Sequence, residues 1–297
     1  MDDEVFDLDE YGLFSALMDN MADSIYYKDR QCRLMRVSRK MATSLGFNDP
    51  AELIGKTDID LFGKEFGRKT RIDDLQVMET GTPIIGLVEG NRSTNRETNW
   101  TSTTKLPLRN SAGKIIGLLG ITREINDLKK IEMDLQHIAT HDLLTSLPNR
   151  YLFFDRLDQA IHRAKRYQTS FALLYLDLDH FKKINDQNGH DAGDEFLKQV
   201  STHLKDTVRD SDTVARLGGD EFAILMETIQ HEEEVFAIAE RIIAGFEQKS
   251  MIGVTASIGI SIYPRHGEEG SLLLKCADHA MYQAKKQMNT YRMFEFS

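Results

Sequence analysis

The sequence predicts a mixed fold of α+β or α/β class in two domains joined by a coiled-coil-like helical connector. Three observations predict it. At 297 residues the chain is long enough to bury two cores of ordinary size. Residues 11–123 read as a helix, short helical stretches and then long alternating strands separated by polar turns, the pattern of a small antiparallel sheet with helices. After a charged amphipathic stretch at 124–141, helix-period segments alternate with apolar runs of strand length, the pattern of a central sheet flanked by helices.

Composition narrows the function. A formal charge of −10 argues against a nucleic-acid partner, because neutralising phosphates demands a basic surface. The two cysteines, Cys32 and Cys276, are too few and too distant for a disulfide framework or a zinc site and read as ordinary partly buried thiols. The longest apolar runs, such as Ile115 to Ile121, fall far short of a membrane span. The start, Met1-Asp-Asp-Glu4, has the opposite charge to a secretory leader. A soluble, cytoplasmic protein is expected.

Residues 1–10 form an acidic tail, and the first domain, 11–123, opens on a helix from Leu13 to Met21. A strand–turn–strand pattern follows around Asp23 to Arg30, then short helical stretches through Val77. Strands are expected at Ile84–Val88 and Trp100–Leu108, and the polar turn Arg109–Lys114 leads into a last strand at Ile115–Ile121. The order, with Tyr27-Lys-Asp-Arg30, Leu53-Ile-Gly-Lys-Thr57 and Gly120-Ile-Thr-Arg-Glu124, resembles a PAS domain, a module that serves sensing and dimerisation. All nine histidines lie at or after His137, so a histidine-ligated haem is excluded from this domain. Cys32 sits in the early polar hairpin, away from the helical setting of the flavin-reactive cysteine in light-sensing relatives. Tyr26, Tyr27, Phe62 and Trp100 read either as core or as the lining of a pocket, and the ligand is unknown.

Between 124 and 141, Leu128, Ile131, Leu135 and Ile138 recur at alternating three- and four-residue steps among charged residues. That is an a/d seam over two heptads, which a simple amphipathic helix can mimic. Its place between two modules favours a parallel helical dimer connector.

In the second domain, 142–297, helices are expected at Tyr151–Arg166, Asp194–Val208, Glu232–Glu247 and Leu272–Met288. Phe171 to Leu176 is a continuous apolar run that suits a central buried strand. Val214–Met226 is a hairpin around Gly218-Gly219, and Val254–Ile262 is a further strand.

The chemistry gathers at two of these elements. The Gly218-Gly219 pair permits a tight turn and leaves open backbone, with Asp220 and Glu221 beside it. The central strand ends in Asp177-Leu178-Asp179, whose two carboxylates share a face at i and i+2. An isolated Asp-x-Asp is more often a solvated strand end; together with the hairpin acids it points to a hard-cation site of Mg²⁺ type.

Arg216-Leu-Gly-Gly-Asp-Glu-Phe222 resembles the signature of the GGDEF family of diguanylate cyclases, and Leu176 to Asp186 agrees with it. The resemblance implies that Asp177, the Leu178 carbonyl and Asp220 hold Mg²⁺, or Mn²⁺, with Asp220 or Glu221 helping to deprotonate the attacking hydroxyl. Asp179 is expected to be structural. Asn185 and Asp194, with His190 close by, are implied to read guanine, whose N1/N2 edge donates to a carboxylate. Without the resemblance that pair is more often a helix cap. Phe181 and Lys182, with Gly218 and Gly219, are placed at the triphosphate, Lys182 offsetting developing charge, and Lys285 is implied to contact phosphate; the plain alternative for either lysine is a solvated helix face. Arg209 and Asp212 match the family's RxxD inhibitory site for the product. His141 to Arg150 is similar to the family's opening motif, a structural turn in which Asn149 and Arg150 tie the connector to the core.

The resemblance thus implies a homodimer, paired through the PAS domain and the connector, that condenses two GTP into cyclic di-GMP and two pyrophosphates under PAS control and product inhibition. The alternative is a weak or inactive receptor that binds cyclic di-GMP through Arg209 and Asp212. Two departures bear on the choice. Ser146 replaces a usual glycine, and Met288-Asn289-Thr290 stands where Gly-Arg-Asn is usual, so that Asn289 replaces a phosphate-contacting arginine.

Overall fold

The computed structural model divides into two compact units, Met1–Glu132 and Met133–Ser297. The structure describes residues 9–92, 98–248 and 253–296, so that most of the expected acidic tail lies outside the described residues.

In the first unit α1 (Glu10–Asn20) starts where Asp9 accepts a hydrogen bond from the Gly12 N–H at 2.7 Å. There follow β1 (Ser24–Asp29), β2 (Leu34–Val37), α2 (Arg39–Ser44), a 3₁₀ turn at Pro50–Leu53, α3 (Asp58–Phe62) and α4 (Lys64–Thr80). The long strands β3 (Ile84–Arg92), β4 (Thr98–Arg109) and β5 (Ile115–Glu124) complete an antiparallel sheet of order β2-β1-β5-β4-β3. Tyr26, Leu34, Leu53, Val77 and Leu118 form its core with the helices. The four candidate pocket aromatics are dispersed: Tyr26 is core, Tyr27 packs against Phe14, Phe62 is exposed, and Trp100 lies under the Lys129 ammonium.

The same interior holds an ionic network. Lys28 on β1 and Lys105 on β4 are 1% and 3% exposed, so neither head reaches water. Lys28 Nζ lies 2.6 Å from Asp58 and 2.7 Å from Asp74; Lys105 Nζ lies 2.7 Å from the other Asp74 oxygen. Buried charges persist only when paired, and here one carboxylate bridges two ammonium groups between sheet and helix. Lys28 sits two residues beyond core Tyr26 on the same strand face, which is the one sequence signal for its burial.

The amphipathic stretch becomes α5 (Asn126–Thr140), with Leu128, Ile131, Leu135 and Ile138 all at least half exposed. Beyond it lie α6 (Arg150–Tyr167), β6 (Ser170–Asp179), α7 (Phe181–Asn188), α8 (His190–Thr207), β7 (Thr213–Gly218), β8 (Glu221–Ile229), α9 (Glu232–Gln248), β9 (Thr255–Tyr263), α10 (Gly270–Lys285) and β10 (Thr290–Met293). The sheet order is β10-β9-β6-β8-β7, antiparallel except for β9–β10, so of the two expected classes the fold is α+β. Two short elements, α7 and β10, were not expected. With only Phe181 and Ile184 on its apolar side, α7 is too short to show a period, and β10 is a four-residue edge.

β6 runs through the middle with both faces buried. Ala172, Leu174, Leu176 and Leu178 face one core; Phe171, Leu173 and Tyr175 face the other, formed with α6 and α10. Alternation then puts Asp177 and Asp179 on the α10 side. A Cβ at Gly259 would run into the Ala277 carbonyl and the Met281 backbone, so the bare backbone of β9 is what lets α10 lie this close.

Candidate active site

The end of β6 meets the start of β8. Asp177 stands opposite Glu221 in the ladder, and the Leu178 N–H donates to the Asp220 carbonyl at 3.3 Å. Acids from two separated segments thereby share one sheet end. Asp220 and Glu221 are half-buried, Asp177 and Asp179 buried. Burial raises the Asp177 carboxyl above the ordinary range; hydrogen bonding and charge from Lys285 oppose this, while the charges of Asp220 and Asp179 add to it. Burial pushes the Tyr175 hydroxyl well above its ordinary value, and the nearby Glu221 carboxylate adds to this.

Asp179 accepts from Thr255 Oγ1 at 2.7 Å, Ser257 Oγ at 2.8 Å and the Asn289 N–H at 3.1 Å. Those neutral donors tie β6, β9 and the chain after α10 together. Lys285, the last residue of α10, reaches Asp177 Oδ1 at 2.5 Å instead of lying on a solvated helix face.

Among the described residues no three acidic, imidazole or thiol side chains cage a cation by themselves. What the site offers is two or three carboxylates and a carbonyl, with an ammonium already resting on one of them. That donor set suits Mg²⁺, which commonly takes one or two protein carboxylates and completes its shell with water and substrate phosphates.

The glycine turn is open on its outer side. Gly219 has φ +52, and a Cβ at Gly218 or Gly219 would meet nothing within 4 Å. From inside, Arg216 Nε and Nη2 donate to the Gly219 carbonyl at 3.0 and 2.7 Å. Its Nη1 reaches both Asp142 oxygens at 3.1 and 3.2 Å. Arg216 was not among the expected site residues, although its place two residues before Gly218 was a usable signal. Asn149 caps α6 at Leu152 N and donates to the Ala139 carbonyl, holding the end of α5. Arg150, expected to share that task, lies instead over the Phe154 ring of its own helix.

The expected base-reading residues lie on α7 and α8. A Cβ at Gly193 would strike the Asn185 carboxamide, so this glycine lets Asn185 lie against the first turn of α8, which carries His190 and Asp194. His190 and Asp194 are exposed, as is Lys182 on the first turn of α7. That helix begins at His180 (φ +62) with no side chain capping its first amides, and Phe181 packs on Phe196.

The RxxD pair lies elsewhere. Asp212 accepts from the Arg209 and Glu227 N–H groups, and the Arg209 guanidinium pairs with Glu234 at 3.1 Å. The two side chains are thus turned to different partners, and Arg209 borders a groove of about 720 Å³ with Met226, Glu234, Ile238 and Arg241.

Residues 139–290 match the family described as diguanylate cyclase, GGDEF domain, and residues 18–130 match the PAS fold. The diguanylate cyclase TpbB of Pseudomonas aeruginosa is 43% identical over 159 residues, 52% of this chain and 37% of that protein. The chain therefore spans well under half the length of that relative. A diguanylate cyclase of Vibrio cholerae is 29% identical over 291 residues, covering 96% of this chain and 89% of its own. The crystal structure of the coiled coil and GGDEF domain of DgcB from Caulobacter crescentus, in complex with c-di-GMP, superposes with a TM-score of 0.51 at 28% identity. It covers 57% of this chain and 92% of that one. No helix among the described residues is long and apolar enough to cross a membrane.

Proposed function

The chain belongs to the diguanylate cyclase, GGDEF domain, family, and from that premise we propose that it condenses two GTP into cyclic di-GMP and two pyrophosphates at the interface of a homodimer. The observation that carries the reading is the β6–β8 register, which brings Asp177 opposite Glu221 and Leu178 against Asp220.

Asp177, the Leu178 carbonyl and Asp220 would hold the cation. When bound, Mg²⁺ or Mn²⁺ supplies charge for the α-phosphoryl group and acidifies the attacking hydroxyl. Asp220 or Glu221 receives the 3′-hydroxyl proton as its oxygen bonds to the partner's α-phosphorus and pyrophosphate leaves. The uncapped amides at Phe181 and Lys182, the Lys182 ammonium and the open backbone of Gly218 and Gly219 accommodate the triphosphate; Lys285 adds a further cation. Asn185 and Asp194, with His190, read guanine, for which Asp194 accepts from N1 and N2.

One protomer cannot close the ring alone, so pairing controls rate. The exposed stripe on α5 supplies a seam for that pairing, and the PAS domain acts through it. Product held by Arg209 and Asp212 inhibits. A second reading, a receptor with little turnover, rests on Asn289 replacing the usual arginine.

Purified protein incubated with GTP and Mg²⁺ is expected to form cyclic di-GMP, with Asp220→Ala slower by about a hundredfold or more at unchanged folding. No product across a range of protein concentrations would leave the receptor reading.

A further inference from the structure

Lys285 pairs with Asp177, one of the carboxylates proposed to hold the metal. Its Nζ lies 2.5 Å from Asp177 Oδ1, and among the described residues this is the one salt bridge made by Asp177, Asp179, Asp220 or Glu221. Asp179 is held by neutral donors and does not compete for the ammonium. The two partners differ in freedom. The Asp177 side chain is 11% exposed on the central strand, whereas that of Lys285 is 42% exposed on four methylenes. Its Cα is fixed, because α10 is seated on Gly259 and Ala284 is fully buried. The ammonium is therefore the mobile partner, on a flexible and part-exposed side chain.

Resting on the proposed cyclase reading, we propose that Lys285 is a counter-ion with two stations, neutralising Asp177 while the divalent cation is away and turning to the nucleotide's phosphates once the cation takes its place. A divalent cation bound to Asp177 repels an ammonium on the same carboxylate, since like charges a few ångströms apart oppose each other, and it withdraws the negative charge that held Lys285 there. Cation arrival therefore releases Lys285, and phosphate oxygens receive it; nucleotide arrival draws Lys285 off and clears Asp177. Each ligand strengthens the other, and the coupling is reciprocal. In the absence of both, the same ammonium spares the sheet end an uncompensated cluster of acids.

The test is Mn²⁺ binding to the full chain at pH 8, followed by the electron paramagnetic resonance of free Mn²⁺, with and without a non-hydrolysable GTP analogue. Without nucleotide, Lys285→Met is expected to bind Mn²⁺ about tenfold more tightly than the wild type, having no ammonium to displace. The factor by which Mn²⁺ tightens the analogue should shrink correspondingly, while Lys285→Arg stays near the wild type. Lys285→Gln, read beside a circular dichroism spectrum, repeats the test if the methionine variant misfolds. Unchanged or weaker Mn²⁺ binding by both neutral variants, with wild type binding cation and analogue together, overturns the two-station role and leaves the cyclase reading intact. Wild-type protein that binds neither ligand overturns both.

Discussion

Arg216 and Asp142 form a two-ended tie: the guanidinium meets both carboxylate oxygens at 3.1 and 3.2 Å while its other nitrogens hold the Gly219 carbonyl. One side chain thus joins the turn that follows α5 to the glycine turn bearing Asp220. Replacing it by alanine frees that carbonyl and leaves Asp142 without its cation. Arg216→Ala should lose about 1.5–3 kcal/mol of stability, the usual range for charged hydrogen bonds. Arg216→Lys should recover only part, because an ammonium cannot fork to both partners. Urea unfolding and rates of cyclic di-GMP formation check both.

The same pair sets a pH dependence. Burial opposes ionisation of Asp142, but hydrogen bonds from Thr145 and the Arg216 guanidinium outweigh it, holding the carboxyl below its ordinary value. A depressed carboxylate contributes stability that is fully present above the unfolded value of about 3.9 and is lost as the pH falls through the folded one. The destabilisation caused by Asp142→Asn should therefore be full at pH 6 and shrink below about pH 4. A destabilisation that stayed constant into acid would remove the carboxylate from the account.

Ser146 and Met288 stand where glycine is usual and adopt φ +55 and φ +57. An L-residue there is disfavoured by roughly 1–2 kcal/mol, partly offset by the greater freedom glycine has when unfolded. Ser146→Gly and Met288→Gly should each stabilise by about 0.5–1 kcal/mol, read by calorimetry. Asn289, at φ +44, belongs to the residue type that tolerates this region best and needs no such relief.

Lys28→Met in the first unit should be costly. It leaves Asp58 and Asp74 facing each other in the interior with Lys105 alone, and breaking a buried pair typically removes about 3–5 kcal/mol. Lys69→Met, which breaks the Lys69–Glu89 bridge whose lysine is 62% exposed, should change stability by less than about 1 kcal/mol. Denaturation of the two variants side by side makes the comparison.

Arg209→Ala should raise the cyclic di-GMP concentration that half-inhibits turnover by about tenfold or more, the loss of a charged, forked contact. The Glu234 bridge is solvent-accessible and weak, so it should not keep the product out. An unmoved inhibition curve would mean that product acts elsewhere.

Much of this architecture was legible along the chain because period and turn chemistry are local. Phe171 to Leu176 declared a buried strand by being apolar without a break, Gly218-Gly219 declared a turn, and the 124–141 stretch declared a helix by its spacing. The short α7 and β10 left no period to read. Which acids meet was not local either: Asp177 and Glu221 are distant in sequence and become neighbours only through strand pairing. Tertiary structure also decided the partners of the cations. Lys28 and Lys105 are buried because a sheet and two helices close over them, and Lys285 reaches Asp177 because Gly259 lets α10 approach. Sequence fixes what each segment can form, since backbone preference and hydrophobic period act over a few residues. Pairing of distant charges depends on packing distance, which only the assembled core sets.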